Sequence, residues 1–153
     1  MGGLMERHGT MKERAAIEVR LVDLWDVDMI ADLYRAGGWW NEKWNPASLG
    51  ALIAGSFAFA VAVDPATGKA VGMGRVLSDG VSDAYVQDLV VLPDYRGRGI
   101  GTMIVSTLLD YCTSAGVIWI ALVAEPGTEP FYTALGFRRM EGHIPMRWYP
   151  EER

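Results

Sequence analysis

Hydrophobic and polar positions change period several times along the chain, and each change predicts an element. From Ile17 to Leu21, apolar and charged residues alternate, which predicts a short strand with one covered face. Apolar positions three and four residues apart then predict a helix over 27–36, with Asp26 as its cap. A second helix is predicted from Pro46 to Gly55, and Asn45 is its expected cap.

Three further apolar runs predict a meander of antiparallel strands. They cover residues 57–63, 70–77 and 85–92, and turns rich in Pro, Gly and Asp separate them. Gly72 and Gly74 interrupt the second of these strands. Glycine within a strand often marks the close approach of a ligand or of another backbone, so we expect these two residues to leave room for a substrate.

The third strand of the meander leads into a helix and then into a strand of a different kind. Pro93 stops the apolar run, and a helical period extends from Gly99 to Gly116. Residues 117–123 are almost all apolar, which suits a strand covered on both faces, as in parallel pairing. Strand, helix and strand make a right-handed crossover, and ligands bind at the carboxyl edge of such sheets.

The last third of the chain predicts one more helix and one more strand. Thr128 is the expected cap of a short helix that ends at Gly136, and residues 137–148 are typical of a final strand. The expected fold class is therefore α/β (α+β). It has a mixed sheet of about six strands, with an antiparallel N-terminal meander and a parallel central pair, flanked by about four helices.

Composition and charge narrow the range of functions. The chain has 153 residues, a net charge of −5 and a sequence pI near 5.0, which argues against a nucleic-acid binder. The single cysteine, Cys112, falls on the apolar face of a helix, so we expect it in the core and the protein in a reducing compartment. No run is apolar enough for a membrane span and no signal-peptide pattern opens the chain, so we expect a cytoplasmic protein. Residues 1–15 are expected to be a flexible leader, and residues 16–153 a single domain.

The turn between the third strand of the meander and the next helix carries the clearest chemistry. From Arg96 to Thr102 it contains three glycines and two arginines. Glycine allows left-handed backbone angles, and free N–H groups at the start of a helix point at an anion. The lysine of a Walker-type loop is missing, and the third glycine comes one position too early for the dinucleotide fingerprint. The turn therefore predicts a pyrophosphate cradle of another type.

The pattern R-x-x-G-x-G over residues 96–101, after a strand and before a helix, resembles the acetyl-coenzyme A motif of the GNAT-type N-acetyltransferases. Two other segments are similar to this family. Residues 37–39, Gly-Gly-Trp, resemble the substrate-side loop of many small-molecule members, and residues 131–137 resemble the late signature of a tyrosine followed by Gly-Phe. The resemblance covers residues 17–149 and implies the GNAT fold, in which the two central parallel strands splay apart around the thioester.

By this resemblance, the cosubstrate is acetyl-CoA. Backbone groups of Leu89 and Val91 would pair with its pantetheine arm, the amides of residues 97–102 would bind its pyrophosphate, and Tyr132 would protonate the departing thiolate. An N–H of Val90 or Val91 is the candidate for stabilising the oxyanion. The residues expected to contact the coenzyme are Leu89, Val90, Val91, Arg96, Gly97, Arg98, Gly99, Ile100, Gly101, Thr102, Phe131 and Tyr132.

The general base is left open by the sequence. Many amine-acetylating relatives carry a glutamate where this chain has Gln87, which cannot accept a proton. Asp88 is adjacent, but it points to the opposite face of the strand unless a bulge intervenes. Glu125, at the end of the next strand, and Asp83 are the other candidates, and a water chain without a dedicated base is a further alternative.

Aromatic residues after the first helix are candidates for the acceptor site. Trp39 and Trp40 either wall a pocket, where aromatic faces attract cations, or are buried under the two helices. Together with Gln87, they are the expected acceptor contacts. No cluster of His, Cys and Asp has metal-ligand spacing, so no metal is expected.

We therefore expect an acyltransferase that moves the acetyl group of acetyl-CoA to the primary amine of a small molecule, by direct attack in a ternary complex. A protein or peptide amine as acceptor, and a non-catalytic acyl-CoA-binding module, are the alternatives. The expected partners are acetyl-CoA and a small amine, with neither nucleic acid nor a membrane. A homodimer is also an expectation, because a projecting final strand often builds dimers in relatives of this fold.

Overall fold

The computed structural model describes residues 16–151, so the predicted leader over residues 1–15 lies outside it. The strands are β1 (Glu18–Leu21), β2 (Ala58–Asp64), β3 (Lys69–Ser78), β4 (Asp83–Val91) and β5 (Trp119–Ala121). The helices are α1 (Val27–Ala36), α2 (Leu49–Gly55), α3 (Ile100–Ser114) and α4 (Glu129–Ala134). Short 3-10 turns at Pro46–Ser48 and Pro93–Tyr95 precede α2 and α3.

The strands form one mixed sheet in the order β1-β2-β3-β4-β5. β1 to β4 pair antiparallel with their chain neighbours, and β5 joins β4 in parallel, which confirms the predicted meander and parallel pair. β5 pairs only with the start of β4, from Asp83 beside Trp119 to Tyr85 beside Ala121. β4 then continues to Val91 without β5. A gap therefore opens between the two parallel strands at their carboxyl ends.

Helices cover both faces of the sheet. α1 and α2 pack against the bulky residues of β2 at positions 59, 61 and 63, and α3 covers the alanines at positions 58, 60 and 62. Because successive residues of a strand point to opposite faces, both sets are buried and β2 has no polar side. Cys112 of α3 is fully buried in the second of these cores, as the sequence predicted.

The helix caps follow the sequence in two of three cases. Asp26 accepts a hydrogen bond from the amide of Met29, and Asn45 from the amide of Ala47, both at 3.0 Å. Thr128 occupies the N-cap position of α4, as predicted, but its side chain does not cap the helix, because its hydroxyl donates to the carbonyl of Glu125 at 2.7 Å. The second residue of α4 is a proline, which offers no N–H for a cap to accept.

The predicted final strand does not form. Residues 137–148 contain no regular element, so the sheet has five strands over residues 16–151 rather than about six. The edge strand that would receive this segment, β5, is three residues long. Pro145 also interrupts the segment, and it has no N–H to donate to a ladder.

The glycines of β3 make room for a helix, not for a substrate. A Cβ at Gly74 would lie 2.9 Å from Cγ2 of Ile104, and a Cβ at Gly72 would lie 3.0 Å from Cδ1 of the same residue. Ile104 is fully buried on α3. The expectation that Gly72 and Gly74 leave room for a substrate is therefore wrong, since α3 fills that space.

Candidate active site

β4 contains a bulge at Asp88 and Leu89. One residue of β3, Gly74, lies opposite both of them, because the register shifts between its neighbours. Val86 therefore packs in the core under α3 while Val90 packs in the core under α1, although a regular strand puts residues four apart on one face. The bulge turns Asp88 toward the α1 face. From the sequence alone, Asp88 is a candidate only if such a bulge is present.

Asp88 is held by two donors from different elements. The hydroxyl of Tyr34, on α1, donates to its Oδ2 at 2.7 Å, and Nε of Arg75, on β3, donates to the same oxygen at 2.6 Å. The Arg75 and Asp88 side chains are 16% and 22% exposed, so the ion pair is largely shielded from water. Burial and then the hydrogen bond to Asp88 raise the pKa of Tyr34, so its hydroxyl stays a donor at neutral pH.

A cavity of about 270 Å³ opens in the gap between β4 and β5. It lies where the two strands stop pairing, beyond Tyr85. Its walls come from four parts of the chain: the loop after α1, the middle of β4, the segment after β5, and α4. The lining residues are Trp39, Tyr85, Val86, Gln87, Asp88, Leu89, Leu122, Val123, Glu125 and Tyr132.

Two of the three carboxylate candidates reach this cavity. Asp88 lines it from β4, and Glu125 lines it from the segment after β5. Within residues 16–151 the Glu125 carboxylate has no ion pair or hydrogen bond, and only its backbone carbonyl accepts hydrogen bonds, from the hydroxyl and the amide of Thr128. Asp83 lies at the other end of β4, beside Trp119, and is not among the lining residues.

Tyr132 faces the cavity from α4. Its ring packs edge-on against Phe131 and Phe137, with centroid separations of 5.0 Å and 5.7 Å. Burial raises the pKa of its hydroxyl, and the negative charge of Glu125 raises it further. The phenol therefore keeps its proton at neutral pH and can donate it to a basic group formed in the cavity.

One of the two candidate tryptophans lines the cavity. Trp39 does so, with its ring edge-on to that of Tyr34 at a centroid separation of 6.3 Å. Trp40 packs instead against Trp44 at 5.6 Å, and the guanidinium of Arg35 lies 5.4 Å from its ring centre. The structure thus brings Trp39 and Gln87 together at the cavity and leaves Trp40 outside it.

The glycine-rich turn has the backbone that the sequence predicted. Gly97 and Gly99 have φ angles of +74° and +76°, which L-residues rarely adopt. α3 begins directly afterwards at Ile100. The amides of its first turn, as far as Thr102, have no carbonyl partner within the helix. Free N–H groups at the positive end of a 15-residue helix form a site for an anion.

The two arginines of this turn fold back on its backbone. Nε of Arg96 donates to the carbonyl of Val91 at 2.9 Å, so the carbonyl expected to pair with pantetheine already has a donor. Nη2 of Arg98 donates to the carbonyl of Asp94 at 2.9 Å, and its guanidinium lies 5.1 Å from the centre of the Tyr95 ring. Both positive charges therefore stay beside the start of α3.

Phe131 connects the turn to α4. A Cβ at Gly101 would lie 3.3 Å from Cζ of Phe131, so glycine at this position allows the ring to pack on the first turn of α3. The predicted coenzyme residues of the turn and of α4 are therefore neighbours in the fold.

We compared the chain with models of known protein families, and one such model matches most of it. The model of the acetyltransferase (GNAT) family matches residues 22–137, a span that contains the bulge, the cavity and the glycine-rich turn. The chain belongs to the GNAT family.

Known acetyltransferases resemble this chain in sequence and in structure. The chain is 37% identical over 86 residues to the uncharacterized N-acetyltransferase ycf52 of Pyropia yezoensis, a match that covers 56% of this chain and 49% of that protein. It is 41% identical over 70 residues to serotonin N-acetyltransferase 2, chloroplastic, of Oryza sativa subsp. japonica, covering 46% and 35% of the two chains. The GNAT family acetyltransferase SP0256 from Streptococcus pneumoniae TIGR4 superposes with a TM-score of 0.75 and 28% identity, over 90% of this chain and 100% of that chain. The chain spans about half or less of the length of the curated relatives it matches.

Two residues at this GNAT site carry no motif in the sequence. Tyr34 has the spacing of an inner-face residue of α1, and nothing local indicates that its hydroxyl bonds Asp88. Arg75 gives one signal, because a charged residue within an apolar strand needs a partner. The identity of that partner depends on the bulge.

Residues 16–151 contain no cluster of three or more His, Cys, Asp or Glu side chains placed to hold a metal ion. The helices in the same range are too short or too polar to cross a membrane. The cytoplasmic location stays a prediction, and the name of the rice relative carries the word chloroplastic.

Proposed function

We propose that this chain transfers the acetyl group of acetyl-CoA to the primary amine of a small molecule. The cavity between β4 and β5 carries the proposal, because a phenol, Tyr132, and a carboxylate, Glu125, both line it. β4 leads from this cavity to the anion site at the start of α3. Membership of the GNAT family agrees with this chemistry.

The carboxyl edge of the sheet fits the coenzyme. The amides of Gly99–Thr102 would hold the pyrophosphate, with Arg96 and Arg98 beside it. Beyond Tyr85, β4 has no strand on its β5 side, so the pantetheine arm can lie there as an added strand. When bound, acetyl-CoA supplies the thioester.

We assign removal of the amine proton to Glu125. An alkylamine with a pKa near 10.4 is protonated at pH 7, and freeing its lone pair costs roughly 4–5 kcal/mol. A carboxylate within reach can take that proton and pass it to water. The Glu125 carboxylate is unengaged within residues 16–151, whereas Oδ2 of Asp88 already accepts two hydrogen bonds.

The bulge and Tyr132 complete the reaction. Leu89 belongs to the bulge and lines the cavity, so we place the N–H that stabilises the oxyanion at Leu89. The amine nitrogen bonds to the acetyl carbon, the C–S bond breaks, and Tyr132 gives its proton to the sulfur. The proton lost by the new amide nitrogen restores the phenol. A donor of this kind contributes about 10²–10⁴ in rate.

The volume of the cavity favours a small acceptor. At about 270 Å³ it is close to the lower end of small-ligand sites, about 300 Å³. Trp39 and Tyr85 are the aromatic residues of the lining besides Tyr132, and a ring attracts an ammonium group by roughly 0.5–2 kcal/mol. Glu125 adds a negative charge to the same walls.

The decisive experiment measures thiol release from acetyl-CoA with a thiol reagent, across a panel of acceptors. The panel contains phenethylamine, tryptamine, putrescine, glucosamine and a lysine-containing peptide. We expect turnover with a small amine, with kcat/KM at least tenfold above that of the peptide. Faster turnover of the peptide would identify a protein acetyltransferase, and coenzyme binding without turnover of any amine would identify an acyl-CoA-binding module.

We also propose that a second copy of the chain covers the C-terminal stretch. Ile144, Met146 and Trp148, in the segment after α4, are 79%, 92% and 81% exposed. Ile118 and Val123, on either side of the edge strand β5, are 81% and 74% exposed. Large apolar side chains that are this exposed are typical of a surface that a partner covers.

Light scattering after size-exclusion chromatography, over a micromolar concentration series, tests this pairing. We expect a dimer whose Kd rises at least tenfold in Trp148→Ser. Leu24→Ser is the matched control, because Leu24 is 77% exposed and precedes α1, so its dimer should be unchanged. A wild-type protein that stays monomeric throughout the series would contradict the proposal.

A further inference from the structure

On the basis of the proposed function of the cavity, we infer that Tyr34 and Arg75 are positioning residues. Through Asp88 they hold the β4 bulge in the geometry that acetyl transfer requires. The three side chains are called the Asp88 clamp below. In this arrangement Asp88 acts through the backbone of the bulge and is not the general base.

A regular β4 could not accommodate Asp88. Without the bulge, Val86, Asp88 and Val90 would point to one face, and Val86 packs in the apolar core under α3. A carboxylate in that core would lose its water without gaining a partner. The bulge turns it to the α1 face, where Tyr34 and Arg75 donate to it.

The conformation of Asp88 needs support from its surroundings. Its φ of +58° makes it the one non-glycine residue with positive φ among residues 16–151. Such conformations persist where neighbouring groups over-determine them, and they cluster at functional sites. The two donors come from α1 and β3 and converge on one oxygen, so they fix the side chain from two directions.

The clamp acts on the part of β4 that faces the reaction. Asp88 and Leu89 both line the cavity, and neither has a register partner on β3. The position of the Leu89 amide therefore depends on how firmly Asp88 is held. A misplaced donor to the oxyanion weakens the transition state and leaves ground-state binding unchanged, so the loss falls on kcat and not on KM.

Tyr34→Phe tests the clamp, because it keeps the ring that packs against Trp39 and removes only the hydroxyl. We expect kcat to fall about 10- to 100-fold, with KM for both substrates within twofold of wild type. Tyr111→Phe is the matched control: Tyr111 is 40% exposed on α3, and the variant should keep the wild-type kcat.

Substitutions of Asp88 separate the clamp from a base. Asp88→Gly keeps a residue that accepts positive φ and removes the carboxylate, so kcat should fall as in Tyr34→Phe. Its Tm should fall as well, because Arg75 loses its partner in a largely buried position. Asp88→Asn keeps an oxygen for both donors and should retain most of the activity. Loss of more than 100-fold in Asp88→Asn, with wild-type kcat in Tyr34→Phe, would make Asp88 the base and overturn the inference.

Hydrogen exchange gives a readout that does not need turnover. Tyr34→Phe should speed exchange at the amides of residues 86–90 at least tenfold and leave β2 unchanged. Faster exchange there in a protein that acetylates no amine would contradict the proposed function and support the clamp. Unchanged exchange, or a Tyr34→Phe protein with wild-type kcat, overturns the inference. So does a drop in Tm and active fraction with normal kcat per active site, because that result indicates a purely structural role.

Discussion

The charge of Glu125 acts on Tyr132 across the cavity that both residues line, and it adds to burial in raising the pKa of the phenol. A general acid has to keep its proton until the leaving group needs it, and a raised pKa ensures that it does. The same cavity thus holds a carboxylate to accept a proton and a phenol to donate one. Three predictions follow from this pair, and two more concern glycines elsewhere in the fold.

Removal of the Tyr132 hydroxyl should slow the reaction without affecting coenzyme binding. In Tyr132→Phe we expect kcat to fall about 10²–10⁴-fold, because the thiolate leaves without a proton donor. Titration calorimetry should give a Kd for acetyl-CoA within twofold of wild type. An unaltered kcat would remove Tyr132 from the mechanism.

Replacement of Glu125 should lower kcat/KM most strongly at neutral pH. In Glu125→Gln, kcat/KM at pH 7 should fall about 10²-fold or more, and the deficit should shrink as pH rises toward the amine pKa of about 10.4, where the substrate loses its proton unaided. Asp83→Asn is the matched control and should behave as wild type, because Asp83 lies outside the cavity. A deficit that is constant across pH would exclude Glu125 as the base.

In the wild-type protein, kcat/KM should not decline between pH 7 and about pH 10. The pKa of Tyr132 is raised, so the phenol stays protonated above the ordinary tyrosine value of about 10. We expect kcat/KM to rise from pH 7 as the amine deprotonates and to hold up to about pH 10. Thiol-release rates over this range check it. A decline that begins near pH 8 would conflict with Tyr132 as the acid.

Glycine at the cradle should matter for binding as well as for stability. Gly99 and Gly68 have φ angles of +76° and +70°, so Gly99→Ala and Gly68→Ala should each cost about 1–2 kcal/mol of unfolding free energy. Only Gly99→Ala should raise the Kd for acetyl-CoA, by at least tenfold, because Gly68 lies away from the anion site, in the turn between β2 and β3. Chemical denaturation and calorimetry measure the two effects. Equal affinities in both variants would place the anion site elsewhere.

Gly74→Ala should destabilise the fold. The new Cβ would lie 2.9 Å from Ile104, and overpacking of this kind costs about 1–3 kcal/mol. Gly50→Ala in α2 is the matched control, because nothing lies within 4 Å of its Cβ. It should stabilise the protein by about 0.5–1 kcal/mol. The two midpoints of chemical unfolding should move in opposite directions, and a shift in the same direction would contradict the contact with Ile104.

Local signals were sufficient wherever a feature depends on residues close in the chain. The caps at Asp26 and Asn45, the order of helices and strands, and the left-handed glycines of the cradle were all predictable, because each depends on a few consecutive residues. The final strand over 137–148 was not, since alternation shows that a segment can pair but not whether a long enough edge is available.

Only the tertiary structure decided which residues meet at the cavity. The bulge in β4 turns Asp88 toward Tyr34 and Arg75, which are 54 and 13 residues away in the chain. Of the two carboxylates that line the cavity, Glu125 is the one left without a hydrogen bond within residues 16–151. In the folded protein Ile104 fills the space beside Gly74, and Trp40 lies outside the cavity. The sequence by itself determined the elements and the anion-binding turn, because backbone preferences are local. The register of β4 depends on both faces of the sheet at once, so the roles of its side chains required the complete fold.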